Sequence, residues 1–241
     1  MQTRLVIHQE AESTQDIVKA MALGGEPEGA AVMALKQTSG RGRSGHTWIS
    51  PAGKNLALSL LLRPRIPPDE IPLLGLMAAV AVAETVEAQG ISRAELKWPN
   101  DVLVAGKKLS GILPEASMIG NSVSYVIIGV GLNVNSEISC FPPDLQDSVT
   151  SLLICASRQW DLVDTAKELL KRMDRLYNRV HEEGPGFIPD LWSKRWAHLG
   201  RTFAYNGVTG VGQGISADGS LILKTHEGQL LRVTSGIMDP I

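Results

Sequence analysis

The sequence predicts an α+β protein: a large domain of mixed strands and helices, followed by a small all-β module. Three observations predict it. Short apolar runs bounded by turn residues recur through residues 4–134, the pattern of buried strands. Among and behind them lie two long helical segments, 71–89 and 162–180. From about Leu199 apolar and polar residues alternate and are broken by hairpin turns. A length of 241 residues fits one large domain with a small module. The division is placed at 1–197 and 198–241.

The first strand is Arg4-Leu5-Val6-Ile7-His8. Ser13-Thr14-Gln15-Asp16 then opens a helix carrying Ile17, Val18, Ala20, Met21 and Leu23, and Gly24-Gly25 stops it. Ser13 or Thr14 suits the N-cap, because a short side-chain oxygen can accept from the first free N–H groups. The apolar runs 30–35 and 55–62 read as two buried strands. Pro67-Pro68-Asp69-Glu70 starts a helix over 71–89 that is apolar on nearly every face, so it is read as core. Residues 95–97 form a short strand that runs into Pro99 and continues as 102–104. Pro99 has no N–H for a ladder, so a bulge or sheet edge is expected there. Ala105-Gly106-Lys107-Lys108 turns the chain into a returning strand, 109–113.

Residues 124–134 are a β-branched strand with glycines at its far end, and 138–159 read as irregular. Asp161 caps a helix in which Leu162, Ala166, Leu169, Leu170, Met173, Tyr177 and Val180 follow the helical period. A shorter helical patch covers 187–196. Residues 201–237 then break at Asn206-Gly207, Asp218-Gly219 and Glu227-Gly228. Four or five short strands there suggest a small barrel of the SH3-like kind, packed on the larger domain.

Composition removes several function classes. Hydrophobic content of 44% supports a sizeable core. Lys+Arg 23 against Asp+Glu 25 gives a formal charge of −2, which argues against nucleic acid as the main partner. Cys140 and Cys155 form no CxxC, and the five histidines show no ligand spacing. The N-terminus carries no secretory pattern. The apolar run 71–83 is too short for a bilayer, which needs ~20 residues. A soluble, cytoplasmic protein without a membrane partner is expected.

Chemistry concentrates in four stretches. Gly40-Arg41-Gly42-Arg43-Ser44-Gly45-His46-Thr47-Trp48 interleaves glycines with arginines and ends on an indole. Glycine permits mobility and close backbone approach, arginine brings a permanent fork of donors for carboxylate or phosphate, and the indole can stack on a flat ring. Lys97, Asn100, Asp101 and Lys108 fall on neighbouring strand ends and suit phosphate with a hard cation. Gly129-Val130-Gly131-Leu132-Asn133 lacks the third glycine and the helix of a dinucleotide fingerprint, and no P-loop occurs. Its glycines instead let a ligand lie against the strand. The hydroxyls of Ser13 and Thr14 at a helix N-terminus can meet a polar ligand.

Together these stretches resemble the biotin protein ligases. Ser13-Thr14-Gln15 resembles the family's Ser-Thr-Asn. Gln37 with Gly40-Arg41-Gly42-Arg43 and Trp48 resembles its Gly-Arg-Gly-Arg loop. Lys97-Trp98-Pro99-Asn100-Asp101, Lys108 with Gly111, and Gly129-Val130-Gly131-Leu132-Asn133 complete the match. The resemblance implies a class II synthetase-like catalytic domain with a mainly antiparallel sheet. It also implies a short form lacking the N-terminal DNA-binding domain of family repressors. Gln15 replaces the usual Asn, and His46 stands where a further Arg is common, so a more mobile loop is expected. Pro114 falls inside the expected strand, which suggests an edge or bulge.

The resemblance further implies two half-reactions in one site. Biotin's carboxylate attacks the α-phosphorus of ATP, giving biotinyl-5′-AMP and pyrophosphate. A lysine of a biotin carboxyl carrier protein then displaces AMP. Arg43, Lys108 and Asp101 are the implied catalytic residues: Lys108 for the carboxylate and α-phosphate, Arg43 for the phosphates and adenylate retention. Asp101 is implied as Mg²⁺ ligand or as acceptor of the lysine proton. Ser13, Thr14, Gln15 and Gln37 are assigned to the ureido side, and Gly111, Gly129 and Gly131 to the slot. Gly40, Arg41, Gly42, Lys97 and Asn100 join the nucleotide side, with Trp48 and Asn133 on adenine. A lid that orders on biotin, and a homodimer through an exposed sheet edge, complete the expectations. The competing readings are a lipoate ligase or octanoyltransferase, and a non-enzymatic biotin sensor.

Overall fold

The computed structural model describes residues 1–91, 93–236 and 238–241. In chain order the elements are β1 (Arg4–His8), α1 (Thr14–Leu23), β2 (Ala30–Ala34), β3 (Leu56–Leu62), α2 (Ile71–Ala88), β4 (Glu95–Lys97), β5 (Asp101–Val104), β6 (Lys107–Ile119) and β7 (Ser122–Leu132). There follow α3 (Leu152–Ala156), α4 (Leu162–Glu183), α5 (Ile188–Ser193), β8 (Thr202–Tyr205), β9 (Val208–Ile215), β10 (Leu221–Thr225) and β11 (Leu230–Val233). The first seven strands form one sheet in the order β1-β2-β3-β7-β6-β5-β4. Among the described strands, only β1 and β2 run parallel within it. The last four form an antiparallel sheet, β11-β10-β9-β8. One call, the alternation ending at 237, reaches a residue outside the described ones.

Strand period sets which side chains meet which layer. Leu56, Leu58, Leu60 and Leu62 of β3 join Val126, Ile128, Val130 and Leu132 of β7 in the core beneath α2, α4 and α5. The alternate residues face α1, where Val18 and Ala22 pack on Val32, Leu61, Tyr125 and Ile127. The helix α2 is buried along most of its length. The apolar segment extends beyond 83 to Ala88, so it is long enough by length and composition to cross a bilayer, a correction to the shorter reading. In this fold it is instead enclosed by the sheet, α4 and α5.

One local reading changes and another holds. The chain does not continue through Pro99 as one strand. It reverses at residues 98–100, and β4 pairs antiparallel with β5, Lys97 opposite Asp101. Pro114 lies within β6, which runs on to Ile119. The pairing with β5 stops at Gly111, so Pro114 faces a ladder only on the β7 side. The edge expected of it is therefore local.

The C-terminal sheet shares the main core rather than standing apart. Phe203, Leu221, Leu223 and Val233 belong to the same buried cluster as α2. The indole N–H of Trp98 donates to Gly219 O at 3.0 Å. Backbone bonds from Leu96 N to Arg195 O (2.7 Å) and from Ala197 N to Leu96 O (2.9 Å) fix β4 against the chain entering the module.

Candidate active site

A cavity of about 350 Å³ opens on the α1 face of the large sheet. Its floor follows from strand register. Ala57 stands opposite Gly131 and Ser59 opposite Gly129. Gly111 stands opposite Gly131 and Leu113 opposite Gly129. All six line the cavity. Small residues thus replace large ones on one face, while the intervening leucines and valines fill the core behind. Ala57 and Ser59 were not singled out from sequence. They sit inside a run that is apolar but for Ser59 itself, where size alternates more than polarity.

One end is built by α1. Ser13 holds the N-cap position but makes no capping bond through its side chain. The free Thr14 N–H donates instead to Gln37 Oε1 at 2.8 Å, and the Thr14 hydroxyl contacts the same oxygen at 3.1 Å. Thr14 Oγ1 also meets Ser59 Oγ at 2.8 Å. Gln37 therefore supplies the cap from a loop, which leaves the buried Ser13 hydroxyl beside the cavity. Gln15 donates to Leu113 O at 3.1 Å and lies over Gly129, where a Cβ would fall 2.9 Å from Gln15 Cδ.

The other end is built by β4, β5 and β6. Lys108 Nζ lies 2.7 Å from Asp101 Oδ1. Asn100 donates to Ile112 O at 3.1 Å and accepts from Arg43 Nη1 at 3.1 Å. Lys97 also lines the cavity, and its ammonium is bonded to Asp239 of the C-terminal segment.

Residues 40–48 cross above this floor. Gly42 N donates to His46 O at 2.7 Å and Trp48 N to Gly40 O at 2.9 Å, so the loop is closed on itself. Gly40 is required by that closure, since a Cβ there would fall 2.5 Å from Trp48 O. The Trp48 indole lies against the floor. A Cβ on Gly131 would fall 2.2 Å from Trp48 Cε2, and one on Gly111 3.3 Å from Cζ3. Among the described residues its buried Nε1 has no hydrogen-bond partner. Lys108 Nζ stands 6.0 Å from the indole centroid. Burial lowers the pKa of Arg43 from its ordinary value, partly opposed by Asp101, and the guanidinium remains a cation.

The structure thus brings every implied site residue but Gly40 to the cavity wall, and Gly40 closes the loop beside it. Besides Lys97, held by Asp239, two have other commitments. Asn133 accepts from Asn55 Nδ2 at 3.1 Å and donates to Thr150 O at 3.0 Å, so its amide holds the end of β7. Arg41 is bonded to Asp16 rather than turned on the cationic end. Phe141, Leu145 and Val149 add an apolar wall from the segment read as irregular.

A small-residue floor, a polar helix-terminal end and a cationic end under an arginine loop define a binding site for a slender ligand carrying an anionic group. Residues 7–133 match the Biotin/lipoate A/B protein ligase family, and the chain belongs to that family. It is 38% identical over 232 residues to the bifunctional ligase/repressor BirA of Bacillus subtilis, covering 95% of this chain and 71% of that one. It is 32% identical over 211 residues to a biotin--[acetyl-CoA-carboxylase] ligase of Paracoccus denitrificans, covering 82% and 85%. Among solved structures, the biotin protein ligase of Aquifex aeolicus in complex with biotin and ATP superposes with a TM-score of 0.82 at 30% identity, over 98% of this chain and 97% of that one.

Proposed function

We propose that this protein activates biotin as biotinyl-5′-AMP and transfers it to one lysine of a biotin carboxyl carrier protein, releasing pyrophosphate and AMP. The carrying observation is the Lys108–Asp101 pair, 2.7 Å apart at the cavity end opposite Ser13 and Thr14. A ureido ring among the hydroxyls of α1 directs the valeryl tail along the glycine floor, so its carboxylate reaches Lys108. Lys108 and Arg43 then stabilise charge that accumulates on the α-phosphate and the departing pyrophosphate. Closure by Arg43 and Trp48 keeps water from the mixed anhydride. Asp101 is placed to accept the proton of the incoming lysine.

Magnesium is part of the proposal in one form only. Among the described residues no group of three or more His, Cys, Asp or Glu is positioned to hold a metal. The cavity offers the single carboxylate of Asp101, which fits an ion arriving on ATP and liganded mainly by phosphate and water. Such an ion supplies charge neutralisation of the polyphosphate. The division at 197/198, a cytoplasmic location and a homodimer, with no nucleic-acid or membrane partner, complete the proposal. It is supported by the charge balance of −2 and by the exposed edge of β1.

Incubation with biotin, ATP, magnesium and a carrier domain, read by mass spectrometry, tests the activity. Addition of one biotin to one lysine, with AMP released, is expected. The family includes lipoate enzymes, so lipoate is run in parallel. Transfer of lipoate in preference to biotin, or no transfer, overturns the reading.

A further inference from the structure

Lys108 stands where β6 outruns one of its neighbours. The pairing of β7 with β6 begins at Ser110, which faces Leu132. On the other side the register with β5 shifts. Val102 faces Ser110 but Leu103 faces Lys108, so Leu109 is an extra residue on β6. Such a bulge bends the strand, re-aims its side chains and interrupts the local ladder. The place beside Lys108 that β7 leaves is taken by residues 148–150. Lys108 N donates to Ser148 O at 2.8 Å, and Thr150 N donates to Lys108 O at 2.9 Å.

A pair of buried amides holds Thr150 in that place. Asn133, directly beyond β7, donates from Nδ2 to Thr150 O at 3.0 Å. Its Oδ1 accepts from Asn55 Nδ2 at 3.1 Å. Asn55 directly precedes β3 and is fully buried. Its own Oδ1 accepts from Val134 N at 3.1 Å and from Ser136 Oγ at 2.8 Å. A carboxamide both donates and accepts, so Asn55 serves Asn133 and the turn at 134–136 at once. Removing it leaves buried polar groups without partners, which is costly. Asn133, Ser148 and Val149 line the cavity, whereas Asn55 lies behind them.

We propose that Asn55 is a positioning residue for Lys108, acting through Asn133 and Thr150. The role in turnover rests on the ligase reading above; the contacts themselves do not. With a bulge on the β5 side, the bonds to Ser148 and Thr150 carry much of the restraint on the Lys108 backbone. That restraint sets where the ammonium stands, 2.7 Å from Asp101 at the cationic end of the cavity. A reacting group tolerates little misplacement, so a loosened bracket acts on the chemical step. Asn55 has no place on the cavity wall through which to act on biotin directly.

Biotin-dependent ATP–pyrophosphate exchange in the full chain tests this, with Tm recorded alongside. Asn55→Ala should lower kcat about tenfold and leave KM for biotin unchanged. Asn55→Asp keeps the acceptor for Val134 and Ser136 and loses the donor to Asn133, so it should show the same split with a smaller loss of Tm. Ser136→Ala removes a bond of the same buried network that lies off the line to Lys108, and should lower Tm without lowering kcat. In a Lys108→Ala background, Asn55→Ala should change the residual rate by less than about twofold, because the two act through one group. A purely structural role would instead multiply the two losses, and that result overturns the proposal. Amide hydrogen exchange reads the contact without turnover. Asn55→Ala should speed exchange of the Thr150 N–H about tenfold relative to the amides of α4, the scale of one lost hydrogen bond. Unaltered Thr150 exchange also overturns the proposal. Absence of pyrophosphate exchange in the unaltered protein refutes the ligase reading, whereas the Thr150 amide judges the link from Asn55 independently.

Discussion

The ammonium of Lys108 and the carboxylate of Asp101 face one another at 2.7 Å across two paired strands of the sheet. The strands hold both backbones, so the pair is positioned without a ligand. Lys108→Ala removes the cation that meets a carboxylate approaching a phosphate. We expect biotin-dependent ATP–pyrophosphate exchange to fall by about 10²–10³, as for loss of a well-placed donor. Lys108 is 36% exposed, so the fold should persist, with an unchanged circular dichroism melt. An undiminished exchange rate would remove Lys108 from the first half-reaction.

Arg43 is tied to the floor through Asn100 at 3.1 Å. Arg43→Gly should let biotinyl-5′-AMP escape, producing labelling of bystander lysines. Asn100→Ala frees the guanidinium without deleting it, so it should give the same phenotype more weakly. Chromatographic measurement of free adenylate in single-turnover mixtures checks both. Equal release by wild type and Arg43→Gly would show that another group retains the intermediate.

Gly131 is the floor residue with least room. A Cβ there would fall within 2.2–2.6 Å of three indole atoms of Trp48. Gly131→Ala puts a methyl group into the floor along which the valeryl tail is proposed to run, so it should weaken biotin binding at least about tenfold. Calorimetric titration with biotin measures the loss. Wild-type affinity would mean that the tail does not run over Gly131.

The parts legible in the sequence were those with a local period. The apolar helix and the amphipathic helix declare themselves by spacing, and the C-terminal hairpins by Asn206-Gly207 and Asp218-Gly219. The reversal at 98–100 was not legible, because a proline between two short apolar runs looks alike in a kinked strand and in a tight hairpin. Pairing partners, which decide between them, are non-local. The same applies to side-chain partners. Arg41 finds Asp16, 25 positions away, and Asn133 finds Asn55, 78 positions away. A motif names the residue type that chemistry needs at a position, but the competing partner comes from another element. Gln37 illustrates the reverse: its place beside the Ser13-Thr14 turn follows from the fold, and it does the capping that Ser13 was expected to do.

Asp218 gives the C-terminal module a pH dependence that can be read by sign. Burial pushes its carboxyl up, but bonds from the Ser216 hydroxyl and from the Ser220 N–H and hydroxyl, with Arg232 nearby, outweigh this and bring it to about 2 from 3.8. The folded state thus binds this proton less readily than the unfolded chain. The stabilisation is fully present above 3.8 and is lost as pH falls from 3.8 through about 2. Asp218 sits in the turn between β9 and β10, whose Gly219 carbonyl receives the Trp98 indole, so loosening the turn also loosens the module's hold on β4. Asp218→Asn keeps the shape and removes the charge that Arg232 and the serine donors face. It should lower Tm modestly at neutral pH and flatten the acid limb of the Tm–pH curve between 3.8 and about 2, relative to wild type. Parallel acid limbs for the two proteins would assign the acid sensitivity to other carboxylates.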